Sequence, residues 1–104
     1  MKRINTNEIV KLTQIGKVII VFHGVGCFNC KLMQPIIESL EPIFPHIKFY
    51  SLNVDLHPHL IQSYKITTLP TLLLFRHGKM LQAIEGVKSL QILKKLIDQT
   101  LNYA

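Results

Sequence analysis

Val18-Ile19-Ile20-Val21-Phe22-His23-Gly24-Val25-Gly26-Cys27-Phe28-Asn29-Cys30-Lys31 begins as a short β-branched apolar run, breaks at two glycines and continues in a helical pattern. The run from Val18 to Phe22 predicts a strand covered on both faces. Cys27 then opens a helix. At a helix start the first backbone N–H groups lack partners and the dipole end is positive, which favours a thiolate at Cys27 over the neutral thiol. The three-residue offset lets Cys30 reach Cys27. One sulfur attacks a partner's disulfide and the other resolves the mixed disulfide, the two steps that a dithiol site needs.

Upstream, Asn7 to Ile15 carries Ile9, Val10, Leu12 and Ile15 on a helical stripe that Asn5, Thr6 or Asn7 can cap and Gly16 ends. Downstream of the cysteines, Leu32, Met33, Ile36, Ile37 and Leu40 form one apolar helix face. Pro35 falls inside that helix and predicts a bend, and Pro42 and Pro45 close it. Ile47 to Val54 reads as a second strand, Leu60 to Tyr64 as a short helix, and Thr71 to Phe75 as a third strand. His77-Gly78-Lys79 predicts a tight turn into a fourth strand, Met80 to Glu85. Ser89 to Leu101 closes the chain as an amphipathic helix that starts at Lys88 or Ser89. The order is α-β-α-β-α-β-β-α, with the cysteine pair at the carboxyl end of the first strand, where sites of open α/β sheets collect.

A chain of 104 residues has room for one domain, residues 1–104, and can bury a core without staples. Two cysteines three positions apart close too short a loop to brace a fold, so the pair is local chemistry rather than architecture. Twelve Lys and Arg against six Asp and Glu give a formal charge of +6. The basic residues are dispersed and no recognition motif accompanies them, which argues against nucleic acid and for steering toward acidic protein partners. No stretch approaches the roughly 18 uninterrupted apolar residues of a membrane span. Met1 to Glu8 has no apolar signal core or small-residue cleavage site, so the expectation is a cytoplasmic protein.

Phe22 followed five residues later by Cys27-Phe28-Asn29-Cys30-Lys31, then Pro35, Asn53-Val54-Asp55, Thr68-Leu69-Pro70-Thr71, Gly78 and Gly86, resembles the thioredoxin family over nearly the whole chain. The resemblance implies an α/β thioredoxin fold, with a central mixed four-stranded sheet flanked by helices on both faces. It implies a cis Leu69–Pro70 bond, a conformation only proline adopts cheaply, and a loop at Leu69 whose backbone can pair with an extended substrate segment. Gly26, Phe28, Leu69, Pro70 and Gly86 would then form the substrate-facing rim.

Departures from the family pattern are equally specific. Typical members have Trp-Cys-Gly-Pro-Cys where this chain has Gly26-Cys27-Phe28-Asn29-Cys30, and the sequence contains no tryptophan. Gly26 removes a bulky wall and adds backbone freedom. Asn29 restores an N–H that proline lacks. The family's buried aspartate beneath the second cysteine corresponds to Val21 and its lysine partner to Ser51, so a proton relay through that pair is absent.

Other chemistries fit less well. A zinc site lacks the second cysteine pair, even with His23 as a third ligand, and His57-Pro58-His59 reads most simply as surface turn. A cysteine hydrolase leaves Cys30 unexplained, and no histidine and carboxylate can be assigned to it. His23 reads as a packing residue at a strand end, with an imidazolium acting on the cysteine thiol as its functional alternative. The expected function is a thiol–disulfide oxidoreductase in which Cys27 attacks and Cys30 resolves, acting as a monomer on protein disulfides with a thioredoxin reductase as electron donor, and with no cofactor or metal. The alternative is a binding module of the same fold with weak or lost redox turnover.

Overall fold

Lys17–His23 forms the strand that the apolar run predicts, and Val18 to Phe22 are all buried within it. In the computed structural model, which describes residues 1–102, this strand (β2) lies at the centre of a mixed sheet. Its neighbours run in the order β1 (Lys2–Arg3), β3 (Ile47–Asn53), β2, β4 (Thr71–Arg76) and β5 (Lys79–Glu85). β3 is parallel to β1 and β2, whereas β4 is antiparallel to β2 and β5.

The sheet therefore has five strands rather than the expected four. The addition is β1, whose two exposed residues pair as Lys2↔Tyr50 and Arg3↔Ser51. Neither of its two residues is buried, and the strand joins the sheet through its backbone pairing with β3. It has no side-chain alternation to read, so a polar terminus gave no sign of it.

Alternation along β2 divides the core in two. Ile19 and Val21 face Met33 and Ile37 of α2 (Phe28–Glu38), Leu40 of α3 (Leu40–Ile43), and Leu93 and Ile97 of α5 (Leu90–Ile97). Val18, Ile20 and Phe22 face Ile9 of α1 (Ile9–Thr13) and Leu60 of α4 (His59–Ser63). Phe22 also meets the Tyr64 ring edge-on, with centroids 5.7 Å apart. Helices thus cover both faces, as the resemblance implies. Among the described residues no helix is long and apolar enough to cross a membrane.

Several elements are shorter or more broken than their sequence patterns. The first helix begins as a 3₁₀ turn, Thr6–Glu8, in which the Asn5 amide donates to the Glu8 carboxylate at 2.9 Å. Only Ile9 and Thr13 of α1 are buried, while Val10 and Ile15 are 68% and 81% exposed. One and a half turns present too narrow a face to bury the whole stripe. The second helix divides at Ser39, whose hydroxyl donates to the Ile36 carbonyl at 2.6 Å and so competes for the helical ladder. Pro42 lies in the first turn of α3 rather than beyond its end, where a missing N–H costs nothing. Leu32 is half exposed, off the buried face of α2.

The β4–β5 hairpin turns on two residues, His77 (φ 50°) and Gly78 (φ 85°), with Lys79 already paired to Arg76. Left-handed geometry at both positions matches the twist of the strands. Ser89 caps α5, its hydroxyl accepting from the Ile92 amide at 3.2 Å. The helix continues as a wider π turn, Asp98–Asn102, that keeps Leu101 in the core.

Candidate dithiol active site

Cys27 is the N-cap of α2 and has extended backbone angles (φ −80°, ψ 106°), so its side chain turns back over the first helical turn. Its Sγ accepts the Cys30 amide at 3.1 Å and is bonded to the Cys30 sulfur, with the two Cα atoms 5.2 Å apart. The donor that meets the sulfur is therefore the amide of Cys30, not that of Asn29. A donor already aimed at Sγ would stabilise a thiolate there once the bond is reduced. Both cysteines are half-buried.

The chain enters this turn through Gly26, whose φ of +73° is a left-handed conformation that side chains disfavour. Gly24 permits a close approach instead. A Cβ there would stand 3.1 Å from Leu69 Cδ1 and 3.4 Å from the Asp55 carboxylate. That carboxylate accepts the Val25 amide, and the Val54 amide donates to the His23 carbonyl at 2.9 Å. The loop after β3 thereby holds the end of β2 and the turn that leads from it to the cysteines.

On the other side, the Leu69–Pro70 bond is cis, and the Leu69 carbonyl lies 3.9 Å from Cys27 Sγ. Pro70 is buried, and its carbonyl accepts the Gly86 amide at 2.9 Å. Phe28 projects from the helix start with 73% of its surface exposed, and Gly26 is exposed beside Cys27. Leu69 and Gly86 are half-buried.

Behind the cysteines the sheet supplies a row in register, Arg3–Ser51–Val21–Leu72, across four strands. Val21 is 5% exposed and Ser51 stands directly beside it, so the positions of the family's aspartate and lysine are adjacent but hold no charge. A cleft of about 260 Å³ opens here, bordered by Arg3, Val21, His23, Ser51, Cys30 and Pro70 among others. His23 lies two residues beyond Val21 on the same face of β2. Burial pushes its pKa below the ordinary 6.5, the Arg3 guanidinium pushes it the same way, and the Asp55 carboxylate opposes both.

Arg3 and Gly24 are members of this site that sequence reasoning missed. Arg3 reaches it only through an edge strand without a pattern, and the tight contact at Gly24 is tertiary. His57 and His59 stay apart from the site, their rings edge-to-face at 6.3 Å, with His59 Nε2 3.3 Å from the Thr6 hydroxyl.

Known proteins resemble this chain in sequence and in fold. A sequence model of the thioredoxin family matches residues 3–99. A thioredoxin of Chlamydia caviae is 36% identical over 84 residues, covering 81% of this chain and 82% of that protein. Thioredoxin-1 of Saccharomyces cerevisiae is 33% identical over 75 residues, 72% of this chain and 73% of the relative. The oxidised crystal structure of mitochondrial thioredoxin 3 from S. cerevisiae superposes with a TM-score of 0.86 at 29% identity, over 95% of this chain and 94% of that one. With a dithiol at the capped start of α2 and a family match running from β1 into α5, the chain belongs to the thioredoxin family and is a thiol–disulfide oxidoreductase.

Proposed function

We propose that Cys27 is the attacking thiol and Cys30 the resolving thiol in the reduction of protein disulfides. The observation that carries this assignment is the Cys30 amide directed at Cys27 Sγ from the first turn of α2, at 3.1 Å. The Cys27 thiolate displaces one sulfur of the substrate disulfide and forms a mixed disulfide, and the substrate's first sulfur leaves as a thiolate that takes up a proton. Cys30 then loses its proton and attacks Cys27 Sγ. The mixed disulfide breaks, the second substrate thiol is released, and the protein's dithiol has become the Cys27–Cys30 disulfide. Two electrons pass to the substrate.

Gly26, Phe28, Leu69, Pro70 and Gly86 form the substrate-facing rim. The Leu69 carbonyl beside Cys27 Sγ supports a backbone contact with an extended substrate segment. Phe28 offers apolar surface in place of the tryptophan that the motif lacks, and Pro70 acts from beneath by fixing the Leu69 carbonyl. A thioredoxin reductase returns the disulfide to the dithiol. The protein works as a cytoplasmic single-domain monomer, and its excess positive charge steers it toward acidic partners.

The test is a pair of variants assayed with a reductase and a disulfide-bonded protein. Cys27→Ser is expected to abolish turnover, whereas Cys30→Ser accumulates a covalent mixed disulfide through Cys27. Equal residual turnover in the two variants would overturn these roles. Binding to Cys27→Ser without any recycling of the wild type would turn the proposal into one of a binding module.

A further inference from the structure

The resolving step requires a proton to leave Cys30, and the residues at the family's relay positions, Val21 and Ser51, include no base. What the structure has there is the cleft of about 260 Å³, wide enough for several water molecules. Cys30 and His23 both line it. Successive strand residues point to opposite faces, so His23 shares with Val21 and Ile19 the face on which α2 packs. Among the described residues, the only imidazole bordering the cleft thus stands on the same side of the sheet as the thiol that must ionise. Resting on the oxidoreductase reading above, we propose that His23 accepts the Cys30 proton through water in this cleft when Cys30 attacks the mixed disulfide.

The proton balance is simple. As the Cys30 sulfur bonds to Cys27 Sγ, its proton passes to the imidazole, and the substrate sulfur leaves with the electron pair of the broken bond. The imidazolium then returns the proton, through the same water, to the released thiolate or to solvent. Nothing else is oxidised or reduced.

The charged groups around His23 suit a base rather than a fixed cation. Arg3 on β1 and burial both favour the neutral imidazole, while Asp55 in the loop after β3 partly counters them. Lys31, Glu38 and Met1 also border the cleft, and the Met1 amine pairs with Glu41 at 3.1 Å. Among the described residues, Glu38 is the one carboxylate bordering it. It accepts from Gln34 Nε2 at 2.9 Å, and it stands eight residues along α2 from Cys30, about 12 Å by helical rise.

The experiment is stopped-flow release from a self-quenched fluorescent peptide disulfide mixed with the reduced protein. The first, concentration-dependent phase is attack by Cys27, and the second, unimolecular phase is attack by Cys30. In wild type the second phase is expected to slow as pH falls through the titration of His23. His23→Gln should slow that phase about a hundredfold at pH 7, at the lower end of what a positioned base supplies, while sparing the first and erasing its imidazole inflection. Arg3→Gln should move the wild-type inflection to higher pH, because the cation that disfavours the imidazolium is gone, and Glu38→Gln should leave it in place. Adding Val21→Asp to His23→Gln should restore a fast second phase with the pH profile of a carboxylate.

An unchanged second phase in His23→Gln would overturn the proposal, as would an inflection that ignores Arg3→Gln. Equal slowing of both phases would overturn it as well, since it marks a structural role. Loss of the first phase in wild type would instead defeat the assignment of Cys27 on which the proposal rests.

Discussion

Val21 and Ser51 are register partners across β2 and β3, at the two positions where the family pattern has a buried aspartate and its lysine. The pair lost its charge on both members, which keeps the row consistent: neither an unpaired carboxylate nor an unpaired ammonium is left behind the cysteines. The same loss moves proton handling from the sheet interior to the cleft edge. Arg3, Ser51 and Val21 line that cleft together with Cys30 and His23.

Restoring only the carboxylate should expose the cost of that arrangement. At a site 5% exposed, Val21→Asp is expected to destabilise the oxidised protein by about 1–3 kcal/mol. Burial raises the pKa of such a carboxyl, so the folded state holds a proton that the unfolded state has released, and stability falls as pH rises. Urea unfolding should therefore show a larger deficit at pH 8 than at pH 5.

His23 gives the opposite slope. Its folded-state pKa is depressed below 6.5 by burial, then by Arg3, so in acid the unfolded chain takes up a proton before the folded one does. Stability is unaffected by this group above pH 6.5 and is lost as pH falls from there toward the folded pKa, below which the penalty is constant. In oxidised His23→Gln that component of the acid destabilisation should vanish, read as the difference between the two variants' urea midpoints across pH.

Gly26 stands where typical members carry tryptophan, yet Gly26→Trp should not be a gain. The backbone is at φ +73°, so any side chain is strained by roughly 1–2 kcal/mol, although a Cβ meets nothing within 4 Å. A lowered thermal midpoint with an unchanged urea m value is the expected result, because the substitution strains the native turn without altering the surface exposed on unfolding.

Phe28 is 73% exposed, so its truncation removes surface rather than core. Phe28→Ala should leave stability within about 0.5 kcal/mol. It should raise KM for a protein disulfide about fivefold, equivalent to losing about 1 kcal/mol of apolar contact. Turnover of a small aliphatic disulfide should stay near wild type. Steady-state kinetics on the two substrates separate these effects.

Much of this protein is legible along the chain because it rests on local physics. A β-branched run specifies β2, period-3.6 spacing specifies α5, and His77-Gly78 specifies a hairpin whose two left-handed residues suit the strand twist. Cys27 and Cys30 are readable for the same reason: a helix start and an offset of three residues suffice to bring the second amide to the first sulfur.

Tertiary structure decided the rest, because it depends on what lies beside an element rather than within it. Val10, Ile15 and Leu32 fit helical stripes yet remain exposed, since a stripe is buried only where a sheet or another helix covers it. β1 exists because β3 offered an open edge, and Arg3 comes to the cleft that Cys30 lines only through that pairing. The position of His23 at the cleft is likewise set by register and packing. Its titration follows from burial and from Arg3, a charge twenty residues away in sequence that the sheet brings alongside.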